Sequence, residues 1–386
     1  MNCWARLLVA LALAPCRALA DASSYGTLDC SPSHAVLNLK SEKKLVEAGL
    51  EPESVDIPRQ LCHLKFPPQS CTSHDPDVAM PSAEAIAKVA APQPLVLIVK
   101  MGVGSPFAGD RAQILTSVVA DAAAHGGLQV VMLVDRSQWT KSGNYKEAHE
   151  ALPAAFAPLV VGYSIADIQR HFPTKTLVPR SEPPFGARAR AIGKYYETYS
   201  WSWWWLMHGK AAAAVGKTTR VWTIEDDTVF TGSWARLTAV LERGLAPLDA
   251  RGSAKGGDHA GADLVSFRDY CTPEKSWIWA RYMHEGVANL TTPGRGLETW
   301  MTAYGLSPRF LDAVVASQTK GDTGHIEWFP PTLALREGFG LVFVAHDLRG
   351  QSLGRSCSGG GERRGGTFNY CCQGKNTVDS ENWCEI

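Results

Sequence analysis

Leu95-Val96-Leu97-Ile98-Val99-Lys100, a helix-like stretch from Arg111 to His125 closed by Gly126-Gly127, and then Gln129-Val130-Val131-Met132-Leu133-Val134 form the passage on which the fold turns. Each apolar run is continuous rather than alternating, as in a strand buried on both faces. Strand, helix and strand at this spacing make a βαβ unit with a parallel sheet. A third run, Arg220-Val221-Trp222-Thr223-Ile224, and two weaker ones, Leu264-Val265-Ser266-Phe267 and Leu341-Val342-Phe343-Val344, extend the pattern. Ala189 to Lys210 is an amphipathic helix candidate, and Ser307-Pro308 starts another helix with a capping hydroxyl followed by Pro at the first helical position. Residues 94–350 are therefore expected to form one α/β domain, a mostly parallel sheet flanked by helices.

On the N-terminal side, residues 1–20 hold a short basic region, the apolar run Leu7 to Ala14 and small residues at Ala18-Leu19-Ala20, the pattern of a secretory signal peptide. The run is shorter than the about 20 apolar residues that span a bilayer, and no later segment is longer and uncharged, so no transmembrane segment is expected in the mature chain. Residues 21–93, with scattered Pro, Ser and Cys and one helix candidate from Ser41 to Ala48, read as an accessory segment. Residues 351–386 read as a Gly- and Cys-rich appendix. Beyond Cys3 and Cys16 of the leader, the cysteines are Cys30, Cys62, Cys71, Cys271, Cys357, Cys371, Cys372 and Cys384. An even set behind a leader predicts disulfides, with about 105 possible pairings and none singled out. Cys371-Cys372 lacks the spacing of a zinc site. Lys and Arg number 38 against 38 Asp and Glu, mixed along the chain, which gives no electrostatic footprint for nucleic acid. Asn289-Leu290-Thr291 is a glycosylation sequon.

The chemistry concentrates where Val221-Trp222-Thr223-Ile224 runs into Glu225-Asp226-Asp227. Ligands of open α/β sheets bind at the carboxyl ends of strands. Three adjacent carboxylates repel unless a cation or hydrogen-bond donors compensate, and hard oxygens suit Mg²⁺ or Mn²⁺. In an extended chain Glu225 and Asp227 point to one side and Asp226 to the other.

Val221 to Trp234 resembles the DxD segment of GT-A glycosyltransferases in its EDD form, as in N-acetylglucosaminyltransferase I, and its Phe-Thr-Gly-Ser-Trp continuation resembles uncharacterised fungal and algal GT-A-like proteins. The likeness is specific over these fourteen residues and architectural elsewhere. It implies a GT-A (nucleotide-diphospho-sugar transferase) fold and a metal, usually Mn²⁺, bridging Asp227 to the donor pyrophosphate, with Glu225 or Asp226 reaching the ribose or metal waters. It also implies donor contacts at the ends of the first two strands, at Val99, Lys100 and Asp135, and a His completing the metal shell, for which His346 after the last strand is the candidate.

An inverting transferase needs a base to deprotonate the acceptor hydroxyl. Glu327, between apolar neighbours in Gly324-His325-Ile326-Glu327-Trp328-Phe329, is the first choice, with Asp322 and Glu298 as alternatives. The run Trp201, Trp203, Trp204, Trp205 beside Tyr195, Tyr196 and Tyr199 reads as a helix packed on the sheet, while Trp328 and Trp300 are better placed to stack on an acceptor sugar. The expected function is metal-dependent (Mn²⁺ or Mg²⁺) transfer from a nucleotide-sugar donor to a glycan or glycoprotein acceptor, in the endoplasmic reticulum or Golgi lumen or outside the cell. A secreted glycoside hydrolase working with two carboxylates, and a GT-A-like binding protein without turnover, remain the alternatives.

Overall fold

A computed structural model of the chain describes residues 29–30, 35–39, 79–102, 109–139, 145–147, 152–173, 197–226, 228–230, 233–254, 261–267, 271–272, 296–297, 299, 301, 303–346 and 353–355. Eight strands form the main sheet: β1 (Ala35–Leu39), β2 (Leu95–Gly102), β3 (Leu128–Asp135), β4 (Val160–Tyr163), β5 (Arg220–Glu225), β6 (Leu264–Ser266), β7 (Ala303–Leu306) and β8 (Leu341–His346). Their order is β1-β8-β6-β7-β5-β2-β3-β4. Neighbours run parallel except at β7, which is antiparallel to both β6 and β5. The helices are α1 (Ala83–Ala90), α2 (Gly109–His125), α3 (Ile165–His171), α4 (Lys210–Gly216), α5 (Trp234–Ala254), α6 (Pro308–Thr319) and α7 (Phe329–Glu337). Residues 197–204 are also helical and pass through a π-turn, Trp205–Gly209, into α4.

The alternation of side chains along β2 divides the core. Leu95, Leu97, Val99 and Met101 face Ile86 and Val89 of α1, Leu115 and Val119 of α2, and Leu237 and Leu241 of α5. Val96 and Ile98 face the opposite way, toward Tyr199, Trp201 and Trp204, with Phe310 of α6 and Leu333 of α7 in the same layer. Both sides of the sheet are covered, which is why its central strands carry consecutive apolar residues, such as Leu95 to Val99 and Val130 to Val134, rather than one at every second position. Each fully buried large side chain contributes about 1.5–3 kcal/mol relative to exposure. The tryptophan run belongs to this core: Trp201 is fully buried and Trp203, Trp204 and Trp205 nearly so.

Two buried charges tie the halves together. Arg220, at the start of β5, donates to Glu242 (2.6 Å) and Asp249 (3.1 Å) of α5 and to the Ala262 carbonyl ahead of β6. Asp263 accepts from Ser307 Oγ (2.6 Å), from Arg309 Nε and Nη2 (2.6 Å each) and from the Gly340 amide (2.9 Å), so one carboxylate joins the entries of β6, α6 and β8. Removing one partner of such a site would leave an uncompensated buried charge, which is strongly destabilising.

The runs at Leu95, Gln129, Arg220, Leu264 and Leu341 form strands, Arg111 to His125 is helical within α2, and Ser307 caps α6 by accepting from the Phe310 amide (3.2 Å). The domain also draws on chain before Pro94, because β1 pairs with β8 and α1 buries Ile86 and Val89. Three elements carry weak signals. β4 is four residues long. α3 is short, although Ser164 and Asp167 form a capping box at its start. β7 contains Gly305, where a Cβ would come 3.0 Å from both Arg220 Cδ and the Trp222 ring, so the strand tolerates Gly because β5 lies close against it. The helix candidate Ser41 to Ala48 lies outside the described residues. No helix among the described residues is long and apolar enough to cross a membrane.

Candidate functional site

From β2 the chain builds β3 and then β4 outward on one side, and β5 then pairs with the other edge of β2. The strand order therefore reverses between β2 and β5. In open α/β sheets the crevice outside the carboxyl ends of strands at such a reversal is where ligands bind. Lys100 and Glu225 sit there as register partners.

Lys100 Nζ stands 3.8 Å from Glu225 Oε1, with side chains 9% and 14% exposed. The ammonium also lies 5.5 Å from the centre of the Tyr304 ring, which β7 contributes from the far side of β5. Val96 and Ile98 precede Lys100 on the tryptophan side of the sheet, and alternation puts Lys100 on that side too. Burial raises the Tyr304 pKa, against the pull of the Lys100 charge, so the phenol stays neutral. The Asp226 amide donates to the Lys100 carbonyl (3.1 Å), continuing the β2–β5 ladder one step further. The Glu225 amide donates to Thr228 Oγ1 (3.2 Å), folding the acidic segment into a turn. A turn begins at Asp226, a residue only 8% exposed, and Asp227 lies outside the described residues.

Asp135 ends β3, one strand beyond Lys100. Its carboxylate accepts from the Ser137 amide (2.8 Å), and Ser137 Oγ in turn accepts from the Ile165 amide (2.7 Å) at the start of α3. Burial pushes the Asp135 pKa up to about 6, the Ser137 hydrogen bonds pull it down, and the charge of Glu197 adds a smaller upward push. Glu197 acts on Tyr304 in the same direction. Lys100, Asp135, Glu197, Glu225 and Tyr304 are thus one electrostatic neighbourhood. Sequence reasoning named three of them. Glu197 is a single acid at the start of an apolar helix and Tyr304 belongs to β7, a four-residue strand that includes Gly305, so neither had a signal of its own.

The other candidates separate. Val99 is fully buried on the opposite side of the sheet, where its side chain belongs to the core rather than to a ligand. Asp322 accepts from Ser317 Oγ (2.5 Å) and lies 3.5 Å from Arg336 Nη2, an arrangement that holds the end of α6 against α7. Glu327 has its side chain 18% exposed and 3.9 Å from Nδ1 of the fully buried His325, while its amide donates to that same nitrogen (3.2 Å). The Glu327 carbonyl accepts from the Thr299 amide (2.9 Å), and Thr299 Oγ1 is 2.8 Å from Ser266 Oγ at the carboxyl end of β6. Ser266 is the register partner of Tyr304, so Glu327 is linked by three contacts to the strand ends that bear the site. Trp328 is 1% exposed and packed in the core, which removes it as a stacking surface for a sugar.

Of the proposed metal ligands Asp227, Glu225 and His346, only Glu225 has a described side chain. Asp227 lies outside the described residues, as do Glu298 and Trp300, and for His346 the backbone alone is described, paired with Leu39. Among the described residues no group of three or more His, Cys, Asp or Glu could hold a metal ion. After Gly350, residues Leu353–Arg355 pair antiparallel with Thr228–Phe230, in the register Arg355↔Thr228, so the C-terminal segment returns beside the acidic turn. No protein-family model matches the chain, and a search of the curated proteins finds no match.

Proposed function

We propose that the chain is a glycosyltransferase that moves a sugar from a nucleotide-diphosphate donor to a glycan or protein acceptor in the secretory pathway. The observation that carries this reading is the Lys100–Glu225 pair at the reversal of strand order. There a buried ammonium can meet a diphosphate as a point charge, in surroundings less screened than water. Asp135, at the end of the next strand, suits the ribose hydroxyls as an acceptor, and the turn Glu225-Asp226 fits the GT-A likeness of that segment. The mostly parallel sheet flanked by helices agrees with the architecture that the likeness implies.

In this reading the acceptor oxygen attacks the anomeric carbon as the bond from that carbon to the diphosphate breaks, and Glu327 takes the acceptor proton. Lys100 stabilises charge on the departing diphosphate, an electrostatic contribution in a preorganised site. Mn²⁺ or Mg²⁺, held by Asp227 with Glu225 and His346, would offset the same charge.

A thermal-shift panel of nucleotide sugars and nucleoside diphosphates, with and without Mn²⁺, tests the reading. A ligand at 100 times its dissociation constant stabilises the native state by about 2.7 kcal/mol. A shift with a nucleoside diphosphate or its sugar, absent in Lys100→Ala, is the expected result. No shift from any member under either condition would sink the proposal, and donor binding without transfer to any acceptor in a library would favour a binding protein instead.

A further inference from the structure

Cys30 and Cys271 lie directly opposite one another in a two-stranded antiparallel ribbon, Asp29–Cys30 against Cys271–Thr272, in the register Asp29↔Thr272 and Cys30↔Cys271. Directly opposed residues of an antiparallel pair have Cα atoms about 4.5–5.5 Å apart, within the about 4.4–6.8 Å that disulfides bridge. Of the eight cysteines beyond the leader, these are two that lie far apart in sequence and that the fold nevertheless sets face to face across adjacent strands. We propose that Cys30 and Cys271 are joined by a disulfide.

The position gives such a bond a structural purpose. Cys30 lies just ahead of β1, an edge strand whose neighbour in the sheet is β8, and Cys271 lies just beyond β6, on the other side of β8. A covalent link across the ribbon therefore fastens the entry of the edge strand to the exit of an interior one. A ribbon two residues long has little stability of its own, and a link between distant positions acts on the unfolded chain by closing a long loop. The chemistry is thiol–disulfide exchange. The two thiols lose two protons and two electrons as the Sγ–Sγ bond forms, and a donor disulfide, such as oxidised glutathione or an oxidoreductase of the secretory lumen, is reduced to two thiols. The proposal does not depend on sugar transfer.

Trypsin separates the pair cleanly, since the peptide ending at Lys40 and the peptide Asp269 to Lys275 each contain a single cysteine once the leader is removed. The full chain, produced through a eukaryotic secretory host, is alkylated without reduction, digested and mapped by mass spectrometry. The expected result is a cross-linked species containing these two peptides, which disappears on reduction. In Cys30→Ser, one newly alkylated thiol should appear, at Cys271, and Cys271→Ser should expose Cys30 in the same way. Recovery of either peptide already alkylated in the parent, or joined to a different cysteine, overturns the assignment. The parent map decides even if both variants fail to fold.

Discussion

Lys100 and Glu225 face each other 3.8 Å apart at the ends of two adjacent parallel strands, where the chain, having built β3 and β4 outward from one edge of β2, returns to its other edge. Removing the ammonium alone strands a carboxylate that is mostly out of water. Lys100→Met is therefore expected to lose about 1–3 kcal/mol, below the range for a fully buried pair because Glu225 keeps some solvent. The double variant Lys100→Met/Glu225→Gln should recover most of that loss. Urea unfolding of the four proteins measures the coupling, and additive effects would mean that the pair does not interact. Both variants should bind nucleoside diphosphates more weakly.

Asp135 provides a prediction with a definite sign. Its folded pKa of about 6 lies above the ordinary 3.8, so between these values the native state holds a proton that the unfolded chain has released. Stability contributed by the protonated form is complete below about pH 4 and is lost as pH rises through 6. Asp135→Asn, which can still accept from the Ser137 amide, should be more stable than the parent at pH 7.5. One pKa unit corresponds to about 1.36 kcal/mol, and partial solvent exposure lowers the gain to on the order of 1–2 kcal/mol. The advantage should vanish near pH 4, and denaturant titrations at the two pH values that gave the same difference would refute this account.

Trp201 is fully buried. Trp201→Ala should cost about 3–5 kcal/mol, the range for emptying a large aromatic site in a core. Leu206→Ala in the adjacent π-turn, at a side chain 41% exposed, should change stability by no more than about 0.5 kcal/mol. Thermal melts of the two variants make the comparison. A mild Trp201→Ala with weakened sugar binding would favour a ligand-stacking role instead.

Glu327 and Asp322 should part company. If Glu327 takes the acceptor proton, Glu327→Gln lowers turnover about 10²- to 10⁴-fold while donor affinity stays near that of the parent. Asp322→Asn should instead lower stability by about 1–2 kcal/mol through weakened contacts with Ser317 and Arg336, with little direct effect on turnover. Turnover and donor affinity measured for both variants separate the roles, and an unimpaired Glu327→Gln would reject the base assignment.

The parallel sheet was legible because strands buried on both faces carry consecutive apolar residues, so the runs at Leu95 to Val99, Val130 to Val134 and Val221 to Ile224 announce themselves in one dimension. Ser307-Pro308 was equally readable, since a helix start is a local matter of one hydroxyl and one ring. The site was legible only at strand ends, where Lys100, Asp135 and Glu225 each interrupt an apolar run. Which of them meet, and what joins them, was decided by strand order: β5 returned to the free edge of β2, and β7, a four-residue strand with a glycine, inserted antiparallel and carried in Tyr304. The same holds for Cys30 facing Cys271, for the burial of Trp328, and for the split between Asp322, fastened to Arg336, and Glu327, linked to Ser266 through Thr299. Sequence alone determined the apolar periodicity and the local stops, because these depend on each residue and its near neighbours. Tertiary structure alone decided the pairings, because a contact between distant residues depends on which edge of the sheet each strand joins and in what register.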